Sequence, residues 1–252
     1  MTSPTVAASI LGLAVVTSPV TGLRAAELKV IAGGSMTGSL NEIGPQFERA
    51  SGHKLVIHFD STPNIIARVT SGTPFDLAVV PVDVFKDAAA KARFAASPTT
   101  DIARVGYGVV VRSGAPKPDI STPDALKKTL LDASSVAFVP ASAAGAYVLK
   151  VFERLGIAEA MKAKTRAQPM PAGIALAVVK GEAELGVFLV NVLMAQGVEL
   201  AGSFPPELQQ DLVFTAAVAA ETKEADAAKA FIDYLTTPAA TAVIKAKGMT
   251  PG

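Results

Sequence analysis

The sequence has no cysteine, no tryptophan and only two histidines among its 252 residues. The lack of cysteine excludes disulfide bonds, thiol catalysis and cysteine-based metal sites. The two imidazoles, His53 and His58, lie in one short segment. Any chemistry of this chain therefore depends on backbone groups, hydroxyls, carboxylates and a few aromatic rings.

Charge is also scarce, and the two signs nearly balance. Charged residues make up 18% of the chain, hydrophobic residues make up 50%, and the formal net charge is +1. This composition is typical of a globular protein. A neutral surface lacks the basic patches that bind nucleic acids or anionic lipids, so we expect no nucleic-acid partner.

The first 26 residues have the character of a secretory signal peptide. An apolar run at residues 6–16 is too short to span a bilayer, and Pro19 and Gly22 follow it. No lysine or arginine precedes this run, which departs from the usual signal. A buried N-terminal helix is the alternative, but the many small residues disfavour it. We predict a leader over residues 1–26 and a periplasmic location.

Strand-like and helix-like segments alternate along the rest of the chain, as in βαβ units. Two extended stretches, residues 101–112 and 211–220, are long enough to leave one sheet and enter another. The pattern predicts an α/β protein with two lobes, each a mainly parallel sheet flanked by helices, joined by two crossover strands. The predicted first lobe comprises residues 27–105 and 211–252, and the second comprises residues 106–210. Lobes joined in this way form a hinged cleft that can close on a ligand.

Turns rich in glycine and hydroxyl groups follow the first two predicted strands. Ser35 lies in the first turn, at residues 33–36, and Ser61 and Thr62 begin the helix after the second strand. The free N–H groups at a helix N-terminus, together with the positive end of its dipole, hold anions without a charged side chain. The two turns therefore predict a site for a small anion.

Other interpretations of these residues stay open. Ser35 could cap a helix without binding a ligand, or act as a nucleophile, although Thr37 stands where a nucleophile elbow needs its second glycine. His58 and Asp60 share one strand face and could form a metal or proton relay, but the segment has no third ligand. A hydrogen-bonded pair is the favoured interpretation. The glycine spacing does not match a dinucleotide site, and we predict no enzyme activity, no cofactor and no metal.

Several segments, taken together, resemble periplasmic solute-binding proteins of ABC importers, in particular the molybdate-binding type. The segments are residues 33–36, 61–62, 67–77, 180–186 and 230–235, and the resemblance covers residues 27–252. It implies a two-lobed periplasmic-binding-protein clamshell of type II that acts as a monomer. The implied partners are a small anionic ligand and an ABC permease in the inner membrane.

The resemblance also implies a set of ligand-binding residues. They are Ser35, Met36, Ser61, Thr62, Ala144, Tyr147, Pro171 and Leu189. Two of them depart from the molybdate-binding pattern, because Pro171 has no N–H to donate and Leu189 replaces a tyrosine hydroxyl. The implied function is capture of a molybdate- or tungstate-like oxyanion for delivery to the permease. The alternative is a small organic acid, bound for uptake or in a sensory module.

Overall fold

A computed structural model describes residues 25–96 and 98–252. The predicted leader lies outside the described residues, apart from Ala25 and Ala26. The described residues form two mixed β-sheets flanked by helices. None of the helices in this part of the chain is long and apolar enough to cross a lipid bilayer.

Strands and helices alternate through most of the chain. The strands are β1 (Glu27–Gly33), β2 (Lys54–Asp60), β3 (Leu77–Pro81), β4 (Thr100–Val105), β5 (Tyr107–Arg112), β6 (Val136–Phe138), β7 (Thr165–Ala167), β8 (Leu185–Leu189), β9 (Val198–Ser203), β10 (Leu212–Val218) and β11 (Thr250–Pro251). The α-helices are α1 (Thr37–Ser51), α2 (Thr62–Thr70), α3 (Ala88–Lys91), α4 (Pro123–Asp132), α5 (Ala143–Arg154), α6 (Ala158–Lys164), α7 (Ala172–Lys180), α8 (Val190–Leu193), α9 (Ala225–Leu235) and α10 (Pro238–Ala246).

The two sheets are mixed rather than mainly parallel. The first has the order β11-β4-β10-β3-β1-β2, and the second has the order β7-β6-β8-β5-β9. In the first sheet β1 is parallel to β2 and β3, whereas β10 is antiparallel to β3 and β4. In the second, β6 is parallel to β7 and β8, whereas β5 is antiparallel to β8 and β9. Strand β5 comes from the first sheet and begins beside the end of β8, where Tyr107 pairs with Leu189. It is therefore antiparallel to β8.

The connections between the sheets also differ from the prediction. The stretch predicted as one strand over residues 101–112 is two strands, β4 and β5, separated by Gly106. The stretch predicted at residues 211–220 stays in the first sheet as β10. The chain returns from the second sheet through residues 204–211, which contain a single 3-10 turn. One crossover is therefore extended chain and the other is a loop.

The cores follow from the apolar pattern of the central strands. Every residue of β3 and of β8 is buried, as expected for strands covered by helices on both faces. Helix α1 packs an apolar stripe that contains Leu40, Ile43 and Phe47 into the first core, and it ends where Gly52 adopts a φ of 76°. The buried cluster that contains this stripe also includes residues of the second sheet, and a smaller buried cluster covers the other face of the first sheet.

Gln209 ties the two crossovers together. Its Oε1 accepts a hydrogen bond from the Tyr107 N–H at 2.7 Å, and its Nε2 donates to the Tyr107 carbonyl at 3.0 Å. The Phe204 N–H donates to the same carbonyl at 2.9 Å. A Cβ added to Gly106 would lie 3.0 Å from the Gln209 side chain, so the close approach favours glycine there. The Gln209 side-chain amide thus makes the two hydrogen bonds to Tyr107 that the main chain of a neighbouring strand would make.

We expect Gln209→Ala to lower the free energy of unfolding by about 1–3 kcal/mol, because the Tyr107 N–H loses its partner in a largely buried position. Urea denaturation measures the change. The matched control is Gln210→Ala, since Gln210 is exposed, and its effect should stay within about 0.5 kcal/mol. Equal destabilisation by the two variants would contradict the structural role given to Gln209.

Candidate functional site

A narrow cavity lies between the two sheets, at the carboxyl ends of strands from both. Its volume is about 20 Å³. This is room for about one water molecule, so the sheets must separate before a larger ligand can enter. The lining residues are Gly33, Gly34, Ser35, Asp60, Ser61, Thr62, Pro81, Val139, Ser142, Ala144, Pro171, Phe188, Leu212 and Phe214.

The first sheet contributes two helix starts to this cavity. Ser35 lies in a 3-10 turn, Gly34–Met36, whose first N–H groups no side chain caps. Ser61 is the N-cap residue of α2, but its hydroxyl makes no capping bond and is available to another partner. The Thr62 hydroxyl accepts a hydrogen bond from the Ala143 N–H at 3.2 Å, which leaves its own hydrogen free to donate. These groups form a neutral donor set.

The second sheet contributes the N-terminus of α5. Ser142 caps this helix: its hydroxyl accepts from the Gly145 N–H at 2.9 Å and donates to the Val139 carbonyl at 2.8 Å. Ala144 lies in the first turn and lines the cavity. A Cβ on Gly145 would lie 1.8 Å from the Val139 carbonyl oxygen. Only glycine lets the helix start this close to the preceding strand.

Asp60 is the one titratable residue among those that line the cavity. Its Oδ1 accepts from the Ser61 N–H and from Asn64 Nδ2, each at 2.7 Å, and its Oδ2 lies 3.4 Å from His58 Nε2. Burial raises the pKa of Asp60, but the hydrogen bonds from Asn64, Ser61 and His58 outweigh it and hold the pKa below the usual range. The carboxylate is therefore ionised at neutral pH. The hydrogen-bonded pair of His58 and Asp60 expected from the sequence is present.

Direct contacts hold the two sheets together beside the cavity. Asn191 Nδ2 donates to the Ser35 carbonyl at 2.7 Å and lies 3.4 Å from the Met249 sulfur. A Cβ added to Gly34 would lie 3.2 Å from Met170 and 3.3 Å from Pro171. With the bond between Thr62 and Ala143, these contacts describe a closed arrangement of the two sheets.

Five of the eight residues predicted as ligand-binding come together in this cavity. They are Ser35, Ser61, Thr62, Ala144 and Pro171. Pro171 is the N-cap residue of α7 and has no N–H to donate, so α7 offers one donor fewer at this point.

The other three residues do not line this cavity, and their predicted role in ligand binding stays a prediction. The Met36 side chain is fully buried in the apolar core at the start of α1. Leu189 is also fully buried, at the end of β8, where it pairs with Tyr107. The Tyr147 hydroxyl donates to the Leu208 carbonyl at 2.9 Å, and its ring packs 4.9 Å from that of Tyr107. Tyr147 thus stabilises the return crossover.

Sequence reasoning missed several lining residues, Asp60 and Phe188 in particular. Asp60 directly precedes Ser61, so its place at the end of β2 was a usable signal. Phe188 lies near the end of β8, where strands of an open α/β sheet present residues to a ligand. No local signal marks Phe214, which reaches the cavity from β10.

A larger groove, of about 800 Å³, lies elsewhere on the second sheet. Arg112, Lys128 and Leu185 are among its lining residues, and Lys128 is paired with Asp132. Residues of the first sheet do not contribute to this groove, so closure of the two sheets cannot enclose a ligand there. The smaller cavity is the better candidate because helix N-termini from both sheets meet at it.

Among the described residues, no cluster of histidine and acidic side chains could hold a metal ion.

Two sheets that meet at a cavity lined with hydroxyl and backbone N–H donors and one carboxylate define the architecture of a two-lobed solute-binding protein. The comparison with known families agrees with this class. The chain belongs to the family of bacterial extracellular solute-binding proteins, whose family model matches residues 28–250.

Individual relatives cover nearly the whole chain. Aconitate isomerase from a Pseudomonas species is 32% identical over 232 residues, which are 89% of this chain and 87% of that protein. The molybdate-binding protein ModA of Azotobacter vinelandii is 29% identical over 231 residues, 89% of this chain and 90% of that protein. The solved structure of the periplasmic molybdate-binding protein of Azotobacter vinelandii superposes with a TM-score of 0.74 at 21% identity, and covers 88% of this chain and 98% of that one. These relatives differ in the ligands that their names state.

Proposed function

We propose that this protein is a periplasmic solute-binding protein that captures a small anion between its lobes and delivers it to an ABC permease. The proposed first lobe comprises residues 27–105 and 211–252, the second comprises residues 106–210, and a leader over residues 1–26 is removed. The protein acts as a monomer and catalyses no reaction. The observation that carries this proposal is the meeting of helix N-termini from both sheets at one cavity.

Neutral donors are sufficient for such a ligand. Ser35, Ser61, Thr62 and Ala144 offer hydroxyl and backbone donors from both sides of the cavity. Each hydrogen bond to a charged group contributes about 1.5–3 kcal/mol. Because the donors of the two lobes converge only when the lobes close, the anion binds the closed state more tightly and shifts the population toward it.

The wall of the cavity favours a small organic acid over molybdate. Pro171 lacks a donor, Leu189 is buried away from the cavity, and Asp60 adds a negative charge. A tetrahedral dianion would meet too few donors and one like charge, which is costly at a partly desolvated site. The relative named aconitate isomerase supports an organic acid as the ligand.

That relative also supports a second candidate function, an isomerase of a small carboxylic acid. An isomerisation by proton transfer needs a side chain that takes and returns a proton. Asp60 is the titratable residue that lines the cavity, and its lowered pKa makes it a weak base at neutral pH. Incubation with each geometric isomer of aconitate, followed by chromatography, tests this candidate. Interconversion that Asp60→Asn abolishes would establish an isomerase.

A thermal-shift screen tests the binding function. The probes are molybdate, tungstate, sulfate, phosphate, aconitate, malate and succinate, each added to the purified protein. A ligand at one hundred times its Kd stabilises the folded state by about 2.7 kcal/mol, which should raise Tm by roughly 5–10 °C. A Tm unchanged by every one of these anions would contradict the proposed function.

A further inference from the structure

We propose that Asp60 determines the class of ligand: the protein selects an anion that carries a hydroxyl donor beside its charged oxygens and rejects fully deprotonated dianions such as sulfate or molybdate. This inference rests on the proposed function, because it requires the anion to bind in the interlobe cavity.

The position and hydrogen bonds of Asp60 support an acceptor role. Asp60 ends β2 and lines the cavity next to Ser61 and Thr62. Its Oδ1 already accepts two short hydrogen bonds, whereas Oδ2 has only the long 3.4 Å contact with His58. A carboxylate oxygen accepts about two hydrogen bonds, so Oδ2 keeps the capacity to accept one from a ligand.

Asp60 differs in kind from the other polar groups of the cavity. The hydroxyls of Ser35, Ser61 and Thr62 can donate or accept as the ligand requires, whereas an ionised carboxylate can only accept. The lining residues include no lysine or arginine that would neutralise this charge, and His58, whose Nε2 lies 3.4 Å from Oδ2, is not among them. A ligand oxygen placed against Asp60 must therefore carry a hydrogen, because a bare oxyanion would meet the like charge of the carboxylate.

The loss of a backbone donor at Pro171 also favours a ligand that carries a hydroxyl group. Pro171 removes one backbone donor from the wall, while Asp60 supplies an acceptor. The set of groups around the cavity is thus mixed, with donors from Ser35, Thr62 and Ala144 and a fixed acceptor at Asp60. Its complement is an anion with one hydroxyl, which describes both hydrogenphosphate and a hydroxy acid.

Two matched pairs of probes test the inference by calorimetry and distinguish these two sources. Phosphate and sulfate share a tetrahedral shape, but near neutral pH only phosphate keeps a proton. Malate and succinate differ by one hydroxyl. In at least one pair we expect the donor-bearing member to bind the wild-type protein roughly tenfold or more tightly than its partner. A preference for phosphate over sulfate would identify hydrogenphosphate as the ligand type, and a preference for malate over succinate would identify a hydroxy acid.

Asp60→Asn should abolish or reverse this preference, because an amide of the same size removes the charge and can donate to a bare oxyanion. The matched control is Asp119→Asn. The Asp119 carboxylate also accepts a main-chain N–H bond, from Ser121 at 2.9 Å, which lowers its pKa, but it does not line the interlobe cavity. The control should keep the wild-type preference.

Three results would overturn the inference. In the first, neither pair shows the preference: sulfate binds the wild-type protein as tightly as phosphate, and succinate binds it as tightly as malate, a comparison that needs no variant. In the second, a folded Asp60→Asn keeps the wild-type preference. In the third, molybdate binds and none of the four paired probes does, which leaves the proposed function standing. If no anion binds at all, the proposed function fails together with the inference.

Discussion

Gly145→Ala is expected to destabilise the protein by about 3 kcal/mol or more and to abolish ligand binding. The added Cβ would lie 1.8 Å from the Val139 carbonyl oxygen and 2.8 Å from the Pro140 Cα. These are main-chain atoms, so no side-chain rotation relieves the clash. The start of α5 must shift, and Ala144 moves with it out of reach of the first lobe.

Urea denaturation and calorimetry measure the two effects of Gly145→Ala. The matched control is Gly38→Ala in α1, where an added Cβ meets nothing within 4 Å. That variant should be stabilised by about 0.5–1 kcal/mol, because alanine restricts the unfolded chain and favours a helix. Equal stability of the two variants would show that the first turn of α5 does not lie close enough to the Val139 carbonyl to exclude a Cβ at residue 145.

Ser35→Ala and Thr62→Ala are each expected to weaken binding of the ligand found in the screen by roughly 10- to 100-fold. Each variant removes a hydroxyl that the anion needs, and Thr62→Ala also removes the acceptor of the Ala143 N–H. The fold should persist, because Ser35 lies in a turn and Thr62 in the first turn of a helix. Calorimetric titration measures the Kd of each variant.

Ser39→Ala is the matched control for the two hydroxyl variants. The Ser39 hydroxyl is buried in α1 without a hydrogen-bond partner, and Ser39 does not line the cavity. Its removal should leave Kd unchanged and stability unchanged or slightly raised, because an unsatisfied buried group is lost. If Ser35→Ala and Thr62→Ala retained the wild-type Kd, as Ser39→Ala should, the anion would not bind at the predicted turns.

The sequence pattern predicted the α/β architecture, the two lobes and the two hydroxyl-rich turns, because these depend on local signals. Helix N-termini carry recognisable residues such as Ser61 and Thr62, and buried strands carry apolar runs. The direction of each strand in its sheet has no such signal, because apolar periodicity reports burial and not pairing. The mixed sheets and the loop-like return crossover were therefore not predictable in this way.

The second half of the site was harder to predict because its contacts join distant parts of the chain. The bond between Ala143 and Thr62 spans 81 residues, and the bond between Asn191 and Ser35 spans 156. The resemblance to binding proteins placed Ala144 near the cavity but also placed Leu189 there, which is buried. Whether a side chain faces a cavity or a core depends on how the two lobes pack together. The spacing of residues along one lobe does not predict that packing.

The central claim is that a small anion binds between the lobes, and a crystal structure with the anion of largest thermal shift tests it most directly. We expect the anion to contact Ser35, Thr62 and Ala144, with both sheets closed around it. An anion bound instead in the groove lined by Arg112 and Leu185, with the interlobe cavity unchanged, would contradict the account.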